Sequence, residues 1–247
     1  MPNYSKLIRK NILDTLFPIT CLRCGKEKFW LCPECLPAIN PLDYQLCPDC
    51  EKFISEKGAL CPRCKKLKGS YLDSLIAAAS YDSEIIRRLV HNLKYRFVAD
   101  SSVPLSDIMT RALIKNDILL PDFIVPVPLH PRRLRWRGFN QSFLLAKKIS
   151  LNLAPSMEIK VIEILQRDRN SKAQMKISRF QERLRNVKGI FSIKTDFGEN
   201  ILKKKSVLLV DDIATTGATL QECAKILKQN GAKKVSAAVI SRQTFKK

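Results

Sequence analysis

The feature that most constrains the fold of this chain is the stretch VLLVDDIATTGATL at residues 207–220. Its apolar run, residues 207–210, predicts a buried parallel strand that leads directly into two carboxylates, Asp211 and Asp212. A loop of small, hydroxylated residues follows, and a helical pattern begins near residue 218. A strand that ends where a helix begins leaves unpaired backbone N–H groups at the positive end of the helix, and such an arrangement binds phosphate. The alternative is an ordinary strand–turn–helix unit with solvated acids.

The residues of this loop have the chemistry that a phosphorylated sugar requires. Gly217 allows close approach of the backbone. Hydroxyl donors come from the three threonines Thr215, Thr216 and Thr219. Paired carboxylates at the lip of the loop can bind ribose hydroxyls or, through water, Mg²⁺. The whole stretch resembles the signature with which type I phosphoribosyltransferases bind 5-phosphoribosyl 1-pyrophosphate (PRPP): an apolar strand, Asp-Asp, an apolar residue, two further residues and Thr-Gly-x-Thr.

The charge of the chain is far from neutral. Its 247 residues include 44 Lys and Arg against 23 Asp and Glu, a formal net charge of +21. Such an excess indicates an anionic partner, which could be phosphate, nucleic acid or a membrane surface. No apolar run approaches the roughly 20 residues that span a bilayer, and the first residues lack the apolar core of a signal peptide. We therefore expect a cytoplasmic protein with no membrane span.

Eight of the nine cysteines form four Cys-x-x-Cys pairs: Cys21/Cys24, Cys32/Cys35, Cys47/Cys50 and Cys61/Cys64. Two such pairs complete a tetrahedral Cys₄ zinc site, so the chain is predicted to hold two structural zinc ions. We favour pairing between sequence neighbours, which joins the first two pairs and the last two, over a cross-braced arrangement. A disulfide framework is the alternative, but it suits a secreted protein. The ninth cysteine, Cys223, is interpreted as a small buried apolar residue.

Residues 1–68 are therefore predicted to form a zinc-ribbon module, and residues 69–247 an α/β domain with a parallel sheet. A short helix over residues 7–17 would lead into the module, and the lysine-rich residues 65–70 are interpreted as a linker. The predicted strands cover residues 75–81, 123–127, 161–165, 190–193, 207–210 and 235–240. The predicted helices cover residues 84–94, 105–115, 143–151 and 218–229.

A second stretch with evident chemistry, PLHPRRLRWRGFNQS, follows the strand at residues 123–127. It is predicted to be a loop punctuated by proline, without acids and with four arginines: Arg132, Arg133, Arg135 and Arg137. One guanidinium group can donate two parallel hydrogen bonds to two oxygens of a phosphate. Because loops at the carboxyl ends of parallel strands share one edge of the sheet, this loop is predicted to face the Asp-Asp loop. The alternative is a solvated basic loop, and His130 within it is interpreted as structural.

These motifs, in this order and with the basic segment at residues 166–191 between them, resemble the competence protein ComF family, ComFC type, over nearly the whole chain. The resemblance implies a zinc ribbon joined to a type I phosphoribosyltransferase domain, and a role in DNA uptake during natural transformation. It implies that Asp211 and Asp212 contact the PRPP ribose and that residues 127–137 include the pyrophosphate loop. Residues 166–190 would form a hood, although Ser171 and Lys172 stand where a threonine is expected. The 5′-phosphate would lie against Ala214, Thr215, Thr216, Gly217, Ala218 and Thr219.

Two functions fit these observations. The first is a Mg²⁺-dependent phosphoribosyltransferase that acts on a nucleobase or another small acceptor, and the intact Asp-Asp and Thr-Gly-Ala-Thr motifs favour it. The second is a DNA-uptake factor that binds PRPP and also single-stranded DNA, with bases stacked on exposed aromatics such as Trp30 and Trp136. A DNA-uptake helicase is then a candidate partner. The net charge favours the second function, because an enzyme for a small substrate needs only one cationic clamp.

Overall fold

A computed structural model describes residues 19–52, 54–67, 69–157, 159–168, 189–198 and 200–243. The chain forms two compact units, residues 1–40 and 41–247, and each is described by itself. The helix predicted over residues 7–17 lies outside the described residues, and so does most of the predicted hood. The module boundary at residue 68 stays a prediction.

The first unit contains the first two cysteine pairs. Thr20 forms an antiparallel bridge with Glu27, and the Leu22 N–H donates to the Trp30 carbonyl at 3.0 Å. These bonds fold the first pair into a narrow turn. A short 3₁₀ helix, Leu36–Ala38, follows the second pair. Trp30 was predicted to be exposed, but it is half-buried, and its indole Nε1 is fully buried.

The second unit alternates strands and helices along most of its length. Its strands are β1 (Gln45–Leu46), β2 (Ile54–Ser55), β3 (Ser74–Ala79), β4 (Phe123–Pro126), β5 (Lys160–Val161), β6 (Leu165–Arg167), β7 (Phe191–Ile193), β8 (Ser206–Ala214) and β9 (Lys234–Arg242). Its α-helices are α1 (Pro62–Leu67), α2 (Glu84–Tyr95), α3 (Ser102–Lys115), α4 (Pro131–Arg137), α5 (Gln141–Leu153) and α6 (Ala218–Gln229). Two 3₁₀ helices, Glu56–Gly58 and Ala99–Ser101, also lie in the described part of this unit.

The core of this unit is a five-stranded parallel sheet with the order β3-β9-β8-β4-β5. Strands that are covered on both faces consist of continuous apolar runs, and β3 and β9 accordingly bury nearly all of their residues. Leu209 of the central strand β8 lies opposite Val125 of β4 and Ala237 of β9. The α/β class predicted from the alternation of elements is confirmed.

Helices cover the sheet and so bury both sets of alternating side chains. Helix α6 packs Leu220, Cys223 and Leu227 into the cluster that contains Leu209. Helices α3 and α5 contact each other and strands β3, β4 and β8. Leu208, which alternates with Leu209 along β8, is buried as well. Cys223 is fully buried, as predicted for a small apolar residue. None of the helices in the described ranges is long and apolar enough to cross a membrane.

Three predicted boundaries were wrong. Strand β8 does not end before the two carboxylates, because β9 pairs with it through Asp211 and on to Ala214. The strand predicted over residues 161–165 is two short strands, of which β5 pairs with β4 and β6 pairs antiparallel with β7. The predicted linker at residues 65–70 partly belongs to helix α1, which also carries Cys64.

The arginine-rich stretch was predicted to be a loop, but it contains helix α4. Pro131 occupies the first turn, where a missing N–H costs no hydrogen bond. The Nδ1 atom of His130 caps this turn by accepting a hydrogen bond from the Arg132 N–H at 3.1 Å. Gly138 ends the helix in the left-handed conformation, with φ 82°. His130 is therefore structural, as interpreted from the sequence.

Candidate functional site

Each unit contains one cluster of four cysteines. In each cluster the Sγ atoms lie within 4.8 Å of one another. The first cluster consists of Cys21, Cys24, Cys32 and Cys35, and the second of Cys47, Cys50, Cys61 and Cys64. None of these cysteines forms a disulfide. The predicted pairing of sequence neighbours is confirmed, and the chain has two Cys₄ zinc-binding sites.

Backbone N–H groups stabilise the thiolate form of cysteine in both clusters. The Cys61 N–H donates to Cys47 Sγ at 3.4 Å, and the Cys32 N–H donates to Cys21 Sγ at 3.4 Å. Burial works against the thiolates, but backbone N–H donors outweigh it at one cysteine of each cluster and lower the pKa of Cys21 to about 6 and the pKa of Cys47 to about 7. Burial prevails at their neighbours, where it raises the pKa of Cys32 to about 12 and also raises the pKa of Cys64. Since the thiolate is the form that binds zinc, both clusters fit the ion.

Most of the residues predicted to bind PRPP line a cavity of about 520 Å³ at the carboxyl end of the parallel sheet. Asp211, Asp212 and all of residues 214–219 contribute to its wall. A larger cavity, of about 980 Å³, lies at the opposite end of the strands, where Ser74 and Lys234 begin β3 and β9. Ligands of open parallel sheets bind at the carboxyl ends of the strands, so we assign the site to the smaller cavity.

Asp212 is buried at the floor of this cavity, with 3% of its surface exposed. The Nζ of Lys94, near the end of α2, lies 2.8 Å from its Oδ1, and the Ile213 N–H donates to the same oxygen at 2.6 Å. The other oxygen, Oδ2, is buried and accepts no hydrogen bond from the residues that the structure describes. A buried carboxylate oxygen without a partner is unfavourable, so this oxygen fits a ligand hydroxyl or a metal-bound water.

Asp211 is half-buried beside it. Its Oδ1 accepts hydrogen bonds from the Ser142 hydroxyl at 2.9 Å and from the Asp212 N–H at 2.8 Å. Burial raises the pKa of Asp211 to about 7, with a further increase from the charge of Asp212, while Lys94 and the two hydrogen bonds oppose the change. Asp211 therefore changes its charge near neutral pH.

The loop after β8 places backbone donors at the cavity. Gly217 has φ 69°, in the left-handed region that favours glycine, and it precedes the first turn of α6. The Ala218 N–H donates to Thr216 Oγ1 over 3.4 Å. This bond is long and weak, so an anion at the positive end of the helix can replace it.

The four arginines of α4 do not all reach the cavity. Arg133 and Arg137 line it, together with Arg167 of β6, whereas Arg132 and Arg135 are exposed and lie outside its described lining. Helical spacing explains the division, because residues four apart share one face of a helix. An Nη1 atom of Arg137 donates to Gln141 at 2.5 Å. Its Nε is buried and has no hydrogen-bond partner within the described part of the chain.

Several residues of the site were missed in the sequence. Lys94 lines the cavity from the end of α2, and Phe97, in the turn after that helix, contacts the cavity-lining Trp136. The periodicity of the helix marked only its apolar face. Ser142 could have been found from the sequence, because Asn140 is a typical helix-capping residue and places Ser142 in the first turn of α5. The Asn140 side chain accepts a hydrogen bond from the Ser142 N–H at 3.1 Å. Phe97 packs edge-to-face on Trp136, with ring centroids 4.8 Å apart. Trp136 is 61% exposed, which confirms its predicted exposure.

Comparison with known families agrees with this architecture. Residues 140–244 match the model of the phosphoribosyl transferase domain. Residues 12–66 match the model of the double zinc ribbon domain. The first match covers strands β5 to β9 with both carboxylates and the loop after them, and the second covers both cysteine clusters.

Three relatives resemble the chain over most of its length. It is 31% identical to DNA utilization protein YhgH of Escherichia coli (strain K12), over 86% of this chain and 90% of that protein. It is 28% identical to competence protein F of Haemophilus influenzae, over 92% of this chain and 98% of that protein. It is also 28% identical to competence protein ComFC of Streptococcus pneumoniae, over 90% of this chain and 99% of that protein. With a zinc ribbon, a phosphoribosyltransferase sheet and these relatives, the chain belongs to the ComF family.

Proposed function

We propose that this protein binds PRPP with Mg²⁺ in the cavity at the carboxyl end of its sheet and acts in DNA uptake or utilization. The observation that carries the proposal is the buried Oδ2 of Asp212, which lacks a partner among the described residues in a cavity that also contains a glycine loop and cations. A carboxylate in this position needs hydroxyl donors or a hydrated metal, and PRPP with Mg²⁺ supplies both.

Each group of PRPP has a matching part of the cavity. Asp211 and Asp212 would accept the ribose hydroxyls and hold Mg²⁺ through water. Residues 214–219 would hold the 5′-phosphate at the positive end of α6. Arg133 and Arg137 would bind the pyrophosphate in the cavity, and we retain Arg132 and Arg135 as contacts at its rim.

The same residues can promote transfer of the phosphoribosyl group. Mg²⁺, when bound with PRPP, shields the charge of the pyrophosphate and makes it a better leaving group. Asp211 and Asp212 orient the ribose and stabilise positive charge that develops on the sugar. Arg133 and Arg137 neutralise the pyrophosphate as its bond to the sugar breaks.

A role with DNA is supported by the names of the relatives, competence protein F and DNA utilization protein YhgH, and by the net charge of +21. Exposed aromatics in and beside α4, namely Trp136 in the helix and Tyr95 and Phe97 beside it, offer stacking surfaces next to basic residues. We extend the proposal to contact with single-stranded DNA there and to a cytoplasmic location, since reduced cysteine clusters suit a reducing compartment. The helicase partner stays a prediction.

Calorimetric titration with PRPP and Mg²⁺ tests the ligand. The double variant Asp211→Asn, Asp212→Asn should raise the Kd about tenfold or more, because each charged hydrogen bond contributes about 1.5–3 kcal/mol. The variant Asp196→Asn, in an exposed turn, is the control and should bind PRPP as the wild type does. Unchanged PRPP affinity in the double variant would show that the site has been misassigned.

A phosphoribosyltransferase that acts on a small acceptor, without a role in DNA uptake, is the second candidate. The combination of carboxylates, phosphate loop and arginines in one cavity favours it, because a protein that only senses PRPP does not need groups that promote its cleavage. Incubation of isotope-labelled PRPP with candidate nucleobases should release labelled pyrophosphate if the protein turns over. Binding of PRPP without release would support a ligand-sensing role.

A further inference from the structure

The second cysteine cluster is joined to the parallel sheet by Arg242, the last residue of β9. Its Nη1 donates to the Cys47 carbonyl and its Nη2 to the Pro48 carbonyl, each at 3.2 Å. Nη2 also lies 2.8 Å from Oε1 of Glu51 in an ion pair. The arginine side chain is only 5% exposed. One buried guanidinium therefore holds the turn that carries Cys47 and Cys50, two of the four zinc ligands.

The same arginine lies beside the phosphate loop. Its backbone is paired with Ala214, the last residue of β8, and the next N–H, of Gln243, donates to the Ala214 carbonyl at 2.8 Å. A Cβ placed on Gly217 would lie 3.9 Å from the Pro48 carbonyl oxygen and 4.0 Å from Nη2 of Arg242. The cysteine turn and the guanidinium thus lie close enough to the loop that a side chain at Gly217 would contact them.

We propose that the second zinc site supports the phosphate loop through Arg242, so that zinc in this site and PRPP in the cavity strengthen each other's binding. The inference rests on the proposed binding of PRPP. Arg242 acts here as a positioning residue, because it contacts the cysteine turn and the loop and lies outside the described lining of the cavity itself. Coupling of this kind is reciprocal: whatever factor zinc adds to the affinity for PRPP, PRPP adds to the affinity for zinc.

The physical reason is the geometry of the guanidinium contacts. The carbonyls of Cys47 and Pro48, which accept from Arg242, belong to the turn that carries Cys47 and Cys50. Zinc bound to these cysteines would hold that turn in its shape. If the metal leaves and the turn loosens, a buried guanidinium loses acceptors and must move, and the side chain next to Gly217 moves with it. A loop that is no longer supported from below must be ordered by the phosphate itself, which weakens binding.

The first cysteine cluster provides a matched comparison within the same chain. It also consists of four cysteine ligands, but it belongs to the other compact unit. It also has an ion pair of its own between Lys26 and Glu34, 2.6 Å long and exposed. We therefore expect PRPP to affect only one of the two zinc ions.

The experiment measures zinc release from the intact protein to a zinc-selective chromogenic chelator, with and without Mg²⁺ and PRPP. We expect about two zinc ions per chain, and we expect PRPP to slow the release of one of them about tenfold, within the range typical of coupled sites. The variant Cys50→Ser should weaken PRPP binding in calorimetry by a similar factor, whereas Cys24→Ser in the first cluster should not.

Two further variants keep all eight cysteine ligands, so both zinc sites can still form. Arg242→Lys retains the charge but cannot hold two carbonyls and a carboxylate at once, and Glu51→Gln removes the ion pair. Arg242→Lys should abolish the effect of PRPP on zinc release. Glu51→Gln, which leaves both carbonyl contacts in place, should reduce the effect, and Glu34→Gln should leave it intact. A residue that merely stabilised the fold would change zinc release equally with and without PRPP.

The outcomes separate the inference from the proposed function. If the wild-type protein binds PRPP but releases both zinc ions at rates that PRPP does not change, the coupling is wrong and the PRPP site stands. If the wild-type protein shows no binding of PRPP in calorimetry, the proposed function and the coupling both fail.

Discussion

At the scale of single residues, Asp211 and Asp122 have surroundings that shift their pKa values in opposite directions. Asp211 lines the cavity, and there burial and the charge of Asp212 raise its pKa to about 7. Asp122 lies at the other end of the sheet, before β4. It accepts hydrogen bonds from the Ser206 N–H and hydroxyl and from Lys205, which lower its pKa to about 2. One carboxylate is arranged for ligand chemistry, and the other joins two strands.

The variant Asp211→Asn should stabilise the fold above neutral pH. Folded Asp211 keeps its proton up to about pH 7, whereas the unfolded chain releases it near 3.8. The folded state binds more protons between these values, so the contribution of Asp211 to the free energy of unfolding falls as the pH rises through this range. Asparagine removes this loss. The melting temperature of the variant minus that of the wild type should therefore increase between about pH 5 and about pH 8.

Asp122→Asn is the comparison with the opposite sign. Because the pKa of Asp122 is lowered, its carboxylate stabilises the fold above pH 3.8 and loses this effect as the pH falls towards 2. Its asparagine variant should melt below the wild type at neutral pH, and the deficit should shrink in acid. A difference for Asp211→Asn that did not depend on pH would contradict the raised pKa of Asp211.

The carboxylates and the glycine loop of the site could be predicted from the sequence because they are consecutive along the chain. Lys94 could not, because its contact with Asp212 arises only when the end of α2 folds over the cavity. The sequence could not predict that the Oδ2 of Asp212 lacks a hydrogen-bond partner among the described residues, because it shows a carboxylate but not the number of donors around it.

At the scale of secondary-structure elements, residues 42–46 complete the open edge of the parallel sheet. The Leu42 N–H donates to the Ala78 carbonyl at 3.1 Å. The side chain of Gln45, 3% exposed, accepts from the Ala77 N–H at 2.8 Å and donates to the Ala77 carbonyl at 3.1 Å. An amide side chain thus replaces the neighbouring strand that edge strand β3 lacks on this side.

Replacing this amide should weaken the fold. Gln45→Ala should lower the free energy of unfolding by about 1–3 kcal/mol, because the buried N–H and C=O of Ala77 lose their partners. Urea unfolding followed by circular dichroism measures the change.

The control is Gln166→Ala, because Gln166 donates to the Ser192 hydroxyl at an exposed position. Its free energy of unfolding should change by less than about 0.5 kcal/mol. If Gln45→Ala were equally mild, the edge of β3 would not depend on this side chain.

Element boundaries were predictable where the local signals and the tertiary contacts agree. Helix α6 has the predicted bounds, residues 218–229, with Gly217 before it and Gly231 after it, at φ 97°. Helix α4 was predicted as a loop although Pro131 and Gly138 mark its ends, because the prolines were interpreted only as breakers. The extension of β8 past Val210 had no local signal, since it depends on pairing with β9.

At the scale of the whole molecule, the positive charge has two parts. Arg133 and Arg137 line the cavity, where they would serve the proposed small anion. Arg132 and Arg135, on the other side of α4, are exposed, and a second anion can reach them. The net charge was evident from the sequence, but this division was not, because it depends on a helix that had been predicted as a loop. The exposed arginines and the Phe97–Trp136 pair form a surface that suits the backbone and bases of a single strand.

Binding of single-stranded DNA should therefore depend on salt, and variants should separate the contribution of phosphate contacts from that of base stacking. The logarithm of the binding constant should fall linearly with the logarithm of the salt concentration, by about 0.7 per neutralised phosphate. The double variant Arg132→Ala, Arg135→Ala should flatten this slope by roughly 1.4, since two phosphate contacts are lost. Trp136→Ala should weaken binding by about 1–3 kcal/mol and leave the slope unchanged, because stacking releases no counterions. Fluorescence anisotropy of a labelled oligonucleotide over a series of salt concentrations measures both quantities.

The matched control for charge is the double variant Lys203→Ala, Lys233→Ala, which removes two exposed cations near the amino ends of β8 and β9, away from the cavity. It lowers the net charge by the same two units, so a slope that changed equally in both double variants would mean that DNA senses the total charge and not the α4 surface. If the wild-type protein fails to bind single strands at about 50 mM salt, where screening is weak, the DNA contact is wrong. The charge of the chain would then serve another polyanion, and PRPP chemistry would stand alone as the function of the site.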